Sequence, residues 1–180
     1  MKDLVISLDY KLCDDNFYLR NYQESDANEI IKWSKDERTL KLWSADRYGN
    51  FPITANDIND NYKECISSGN FYPMTLETNN KIIGHLILRN PLPDTSIVRL
   101  GFIIINPGLR GKGYGKILIN KAIEFARLKL TAKEINLGVF DVNTSAYNCY
   151  KSVGFVETSI EKNAFKFNNE VWNCIEMTLK

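Results

Sequence analysis

Residues 97–140 run as an apolar strand, a glycine-rich loop, an amphipathic helix and a second apolar strand, and this order restricts the fold more than any other feature of the chain. The first strand, 97–105, ends in Phe102, Ile103, Ile104 and Ile105, a continuous apolar run of the kind expected in the middle of a sheet. The helix, reaching to about 130, sets Leu118, Ala122 and Phe125 at helical spacing, with Ile119, Ile123 and Ala126 beside them. The second strand covers 135–140. Two strands joined through a helix form a parallel crossover. The strand at 81–89 carries apolar residues on both alternating faces, which implies a sheet covered on both sides.

The flanking segments supply the rest of a mixed α and β domain. Residues 1–16 form a leading arm of no assigned structure, and 17–20 a first strand. Ser25 and Asp26 offer caps for a helix through Ile30, Ile31 and Trp33. Residues 44–53, with Gly49 and Pro52, form a loop, and Thr54 caps a helix that Gly69 and Asn70 stop near 68. A strand at 71–77 turns at Asn79 and Asn80 into the strand at 81–89, and Pro91 and Pro93 mark the next turn. Asn143 caps a short helix ending at Gly154, and strands at 155–167 and 171–179 close the chain around a turn at Asn168 and Asn169.

Composition narrows the function. The 180 residues suit one domain, and 44% apolar with 25% charged residues is enough to bury a core. A net charge of +1 lacks the basic excess of a nucleic-acid binder. Cys13, Cys65, Cys149 and Cys174 are scattered and accompanied by one histidine, so neither a zinc site nor a disulfide framework is expected. Lys2 is followed by Asp3 and Asp9 with no apolar run of signal-peptide length, and no stretch approaches the roughly 20 apolar residues of a membrane span. The expectation is a cytoplasmic protein, monomeric or homodimeric, with no nucleic-acid or membrane partner.

The loop Arg110-Gly111-Lys112-Gly113-Tyr114-Gly115 stands between a strand and a helix start. Glycines admit close backbone approach, free N–H groups and the helix dipole favour an anion, and Arg110, Lys112 and Lys116 add charge, so a pyrophosphate suits it. Its spacing is not that of the Walker loop, and its G-x-G-x-G differs from the dinucleotide G-x-G-x-x-G, although Asp141 after the next strand is a possible ribose ligand. Taken alone, the loop is as well explained by a tight turn with solvated lysines.

The run from Ile103 through Asn106, Pro107, Gly108 and Leu109 to Gly115 resembles the signature of the GNAT superfamily of N-acetyltransferases, R/Q-x-x-G-x-G/A after a splayed strand, with Arg110, Gly113 and Gly115 in place. A second stretch resembles that family's N-x-x-A-x-x-x-Y-x-x-x-G-F element through Asn143, Ala146, Tyr150, Gly154 and Phe155. The resemblance, closest to the ribosomal-protein and small-molecule amine branch, implies a single-domain α/β GNAT-like fold: a mixed central sheet with a splayed parallel strand pair flanked by helices. It implies an acceptor-side half at 1–95, an acetyl-CoA-binding core at 96–155 and closing strands at 156–180. It further implies that Arg110, Gly111, Lys112, Gly113, Tyr114, Gly115 and Lys116 hold the pyrophosphate of acetyl-CoA, that Ile103 and Ile105 lie along its pantetheine arm, that Asn143 joins the site, and that Tyr150 is the general acid. From the residues alone, Asn143 is also a helix cap and Tyr150 also a core aromatic on the face of Ala146 and Val153.

The implied reaction is acetyl transfer to a primary amine of a small molecule or a protein N-terminus, by direct attack and without a metal. A lysine-type amine has a pKa of about 10.4 and an α-amine about 8, so a base or water chain must take a proton, while a tyrosine with a pKa of about 10 can give one to the leaving thiolate. Some ribosomal-protein acetyltransferases of the family carry a glutamate where this chain has Gly138; Glu77, Asp94, Asp46 or a water chain remain as bases. Trp33, Trp43, Tyr48 and Phe51, with Asp36, Glu37 and Asp46, either receive a cationic amine or are core aromatics with solvated acids. His85 and Cys149 are expected to pack rather than react. A non-catalytic acyl-CoA-binding module is the alternative, and a nucleotide-dependent oxidoreductase a third.

Overall fold

The computed structural model describes residues 12–14, 16–91 and 94–180, with side chains from Asn16 onward. Among these, strands pair into one mixed sheet in the order β1-β2-β3-β4-β5-β6-β8-β7. These are β1 (Leu12–Asp14), β2 (Phe17–Asn21), β3 (Phe71–Thr78), β4 (Lys81–Arg89), β5 (Ile97–Ile105), β6 (Glu134–Phe140), β7 (Phe155–Phe167) and β8 (Glu170–Leu179). The β5–β6 pair is parallel, as the crossover requires, and the other pairings are antiparallel. Part of the leading arm is therefore a strand: β1 pairs with β2, a partner that only the fold supplies. Residues 1–11, with Lys2, Asp3 and Asp9, lie outside the described residues, as does Pro93.

Local chemistry sets most element ends. Asn79 and Asn80 both take positive φ, +48° and +58°, which a two-residue hairpin turn requires. Helix α3 (Ala55–Ile66) starts on a capping box in which Thr54 and Asp57 bond reciprocally. Helix α4 (Tyr114–Lys129) fills the crossover, and α5 (Thr144–Val153) ends at Gly154 with φ +109°.

The helix expected after Ser25 and Asp26 is broken instead into a 3-10 turn, the four-residue α1 (Ala27–Ile30) and another 3-10 turn. Asp26 caps from the third position of the first 3-10 turn, its carboxylate accepting from the Gln23 N–H at 3.0 Å, and Arg20, with hydrogen bonds at 2.8 and 3.0 Å, and Thr75, at 2.8 Å, tie the same carboxylate to β2 and β3. A further helix, α2 (Glu37–Ser44), starts on the side chain of Asp36, which accepts from the Thr39 N–H. The sequence expectation has no helix here.

Two cores cover the sheet. Leu86 and Leu88 of β4 join Leu118, Ala122 and Phe125 of α4 on one face, and Ile87 joins Ile30, Trp33, Leu40, Ile58 and Tyr62 on the other. Burying both faces of β4 explains its apolar pattern.

Candidate active site

A fault in β5 opens the sheet. His85 pairs with Ile104 and Ile87 with Gly101, so Phe102 and Ile103 together oppose Leu86. This is a bulge, and Phe102 takes φ +48° within it. On the other edge, pairing with β6 stops at Leu100 opposite Leu137, and the rest of β6 keeps only its partner on the other side, β8. A wedge opens between β5 and β6, and the apolar run 102–105, expected to be a buried central strand, lines it half-buried, with Ile104 alone fully buried.

A cleft of about 540 Å³ lies at the wedge. Ile103 and Ile105 form one wall, and Arg110, Gly111, Gly113, Tyr114, Gly115 and Lys116 its end. Lys112 is exposed and stands off the wall. Gly111 and Gly113 take φ +78° and +85°, and a Cβ on either would meet open space. Among the described residues, no backbone acceptor takes the N–H groups of residues 111–115; the next one, of Lys116, bonds to Gly113 at 3.0 Å. Free N–H groups at the start of a 16-residue helix, with Arg110 and Lys116 beside them, make a fit for a pyrophosphate. Gly115 has a second reason to be glycine, since its Cβ would press on Cys149 Sγ at 3.2 Å.

Helix α5 closes the cleft. Asn143 caps it, accepting from the Ala146 N–H at 3.3 Å, and also lines the cleft. Tyr150 is 6% exposed, its ring edge-on to Phe155, and it too lines the cleft. Burial, and secondarily Cys149, raises its pKa, so the phenol is protonated at any working pH. Burial likewise raises the Cys149 thiol, which is unsuited to nucleophilic work.

A second cavity of about 250 Å³ adjoins the first, sharing Leu42, Trp43, Ile103, Asn143 and Tyr150 with it. Its other walls include Arg47, Arg89, Arg99, Phe102 and Gly138. A Cβ on Gly138 would strike Arg99 Nη2 at 2.6 Å and come within 3.1 Å of Glu176 Oε1. Glu176, reaching over from β8, thus puts a carboxylate beside Gly138, but Arg99 binds both its oxygens, at 2.6 and 2.8 Å. Burial would raise the Glu176 pKa; the hydrogen bonds from Arg99 outweigh it and hold the carboxylate below its ordinary value, which makes it a poor base.

The acids named from sequence lie elsewhere. Glu77 pairs with Arg20, Asp94 accepts from the Ser96 N–H, and Asp46 is 83% exposed beside Lys41. Asp36 caps α2, Glu37 is exposed, and Asp141 clamps Asn173 at 2.8 and 3.1 Å rather than facing a ribose. Among the described residues no carboxylate and no histidine lines either cavity. Trp33 is core and Phe51 lies off both walls, whereas Trp43 stacks on Tyr48 and donates to the Phe102 carbonyl at 2.7 Å, holding the bulge. The three arginines went unremarked in the sequence. For two of them the signal was the β4–β5 hairpin register, which sets Arg89 opposite Arg99; Arg47, in the loop after α2, had none.

A splayed β5–β6 pair, an anion loop opening the crossover helix, and two cavities meeting at a tyrosine define an acyl-coenzyme A transferase fold. The acetyltransferase (GNAT) family profile matches residues 28–155, and the chain belongs to that family. An uncharacterised N-acetyltransferase of Methanocaldococcus jannaschii is 42% identical over 60 residues, which are 33% of this chain and 26% of that protein, so the chain spans about a quarter of that relative. A prophage-derived uncharacterised N-acetyltransferase of Bacillus subtilis, YokL, is 24% identical over 143 residues, covering 79% of this chain and 77% of that one. The crystal structure of spermidine N-acetyltransferase from Vibrio cholerae in complex with CoA and spermine superposes with a TM-score of 0.79 at 22% identity, covering 92% of this chain and 96% of that one.

Proposed function

We propose that this chain transfers the acetyl group of acetyl-CoA to a primary amine by direct attack in a ternary complex. The observation that carries the reading is that the two cavities meet at Tyr150 and Asn143, so a thioester in the larger and an amine in the smaller would face each other. In this reading residues 111–115 and Arg110 hold the pyrophosphate, Lys112 and Lys116 add charge around it, and Ile103 and Ile105 flank the pantetheine arm. Residues 96–155 hold the donor, the preceding half supplies the α2 side of the acceptor cavity, and 156–180 close the sheet.

The chemistry is the formation of one C–N bond and the breaking of one C–S bond. The amine nitrogen attacks the thioester carbonyl and loses a proton to water, and the thiolate leaves. Backbone N–H groups on the free edge of β5 polarise the carbonyl oxygen. The Tyr150 hydroxyl donates a hydrogen bond to the developing thiolate; burial raises its pKa, so it stabilises the sulfur while keeping its own proton, and the released thiolate is protonated by solvent. Positioning of the two substrates supplies much of the remainder.

Calorimetric titration of acetyl-CoA into the wild-type protein and an Arg110→Ala, Gly113→Ala variant tests the donor site. Micromolar binding that the variant loses is expected, followed by thiol release in an amine screen. No binding by folded wild-type protein would sink the reading. The absence of carboxylate and histidine from both walls among the described residues favours a second reading, a non-catalytic acyl-CoA-binding module. It predicts binding without thiol release for every amine offered.

A further inference from the structure

The smaller cavity is basic. Arg89 on β4 and Arg99 on β5 are direct register partners across an antiparallel pair. Like charges so placed destabilise a sheet. Arg47, in the loop after α2, reaches in from above, its guanidinium 5.7 Å from the Phe102 ring centre. All three line the cavity. One carboxylate answers them: Glu176 is engaged by Arg99, which also donates to Asn136 at 3.2 Å. Arg47 and Arg89 have no acidic partner within 4 Å among the described residues. Desolvation, then Arg99 and Arg47, hold the Arg89 guanidinium below its ordinary pKa, as three facing cations would.

Guanidinium forks match the oxygens of a carboxylate or phosphate. The basic wall and the Tyr150–Asn143 junction belong to the same cavity of about 250 Å³. That is below the roughly 300–1,000 Å³ of common ligand pockets, which suits a small molecule. We infer that the acceptor is a small primary amine carrying a carboxylate or phosphate, its anion seated on Arg47 and Arg89 and its nitrogen turned toward Tyr150. A polyamine would bring further positive charge to this wall.

The same charges address the missing base. An ammonium beside an uncompensated guanidinium is destabilised relative to the free amine. With a carboxylate bound, Arg47, Arg89 and the Arg99–Glu176 pair leave the wall positive, so the amine gives up its proton to water without a carboxylate to take it; a phosphate dianion cancels most of that charge and gains less from it. This inference rests on the acetyl-transfer reading, and its test has an arm independent of it.

Thiol release is followed with α-amino acids, glucosamine 6-phosphate and spermidine as acceptors, for wild type, Arg47→Gln and Arg89→Gln. An anionic amine is expected to exceed spermidine at least tenfold in kcat/KM, amino acids or the sugar phosphate deciding which anion is meant. Each variant is expected to raise the KM of that amine tenfold or more, with acetyl-CoA affinity held. Preference for spermidine, or unchanged KM in both variants, overturns the inference. If no amine reacts, the acetyl-transfer reading falls instead, and calorimetry with inorganic phosphate and with acetate decides the anion site. Binding to wild type that an Arg47→Gln, Arg89→Gln double variant loses supports the site, and absence of binding for both anions overturns it. Circular dichroism of each variant confirms folding before either result is scored.

Discussion

Tyr150 sits where an ordinary core tyrosine would, 6% exposed against Phe155, yet it lines both cavities. Its ring is a packing element and its hydroxyl the only part that a phenylalanine would lose. Tyr150→Phe should therefore leave the melting transition and acetyl-CoA affinity nearly unchanged while lowering kcat on the order of a hundredfold, the usual worth of a positioned acid. Steady-state thiol release beside calorimetry checks this, and equal turnover in the two proteins removes Tyr150 from the mechanism. Asn143 caps α5 and lines the cleft, and a role in each separates by readout. Loss of its cap to the Ala146 N–H in Asn143→Ala should cost about 1 kcal/mol in denaturant unfolding. Asn143→Asp keeps a capping oxygen and should restore that stability. Restored stability with turnover still depressed would assign the amide a part in the site beyond capping.

At the scale of elements, the anion loop works through backbone shape. Gly113 holds φ +85° with open space where a Cβ would stand, so the protein itself imposes no clash. Gly113→Ala should cost roughly 1 kcal/mol of stability from left-handed strain. Acetyl-CoA affinity should fall by more than that, because the methyl projects into the space the ligand needs; calorimetry and unfolding measured together distinguish the two costs. Such loops are legible in sequence because they are local: the Thr54 box, the Asn79–Asn80 turn, the loop at 110–115 and the Gly154 cap each lie within a few residues. What escaped is what one strand does to another. The bulge at Phe102 exists only against Leu86, so four consecutive apolar residues read as an ordinary buried strand. The bond from the Gln23 N–H to Asp26 is local, but those from Arg20 and Thr75 form only after β2 and β3 pair. Glu176, from the last strand, fills space beside Gly138 that no local pattern connects to it. The loop at 110–115 was legible for that reason, and the smaller cavity, built by register, was not.

Across the whole molecule the two cores differ in how they bear acid. The core under α1, α2 and α3 encloses His85, 0% exposed, with Nε2 2.7 Å from the Tyr62 hydroxyl. Desolvation lowers its pKa from 6.5 to about 3, against a smaller opposing pull from Asp26. The unfolded chain takes up a proton below pH 6.5 that the folded protein refuses until about pH 3, so stability is lost as pH falls through that window. The slope for one such group is about 1.4 kcal/mol per pH unit. Asp26 adds to this at the acid end: burial alone would raise its pKa, but Arg20, the Gln23 N–H and Thr75 hold it below the ordinary 3.8, and their contribution disappears as pH drops past that value. Urea midpoints should therefore be level above pH 7, decline below about 6.5 and steepen near 4. Because the chain has one histidine, its ring C2 proton gives an unambiguous NMR titration in the folded protein. A shift that stays flat down to pH 4.5 while the urea midpoint falls would place the proton uptake in the unfolded state. A titration centred near 6.5 would mean that His85 charges inside the fold, and the acid sensitivity would have to come from the carboxylates alone.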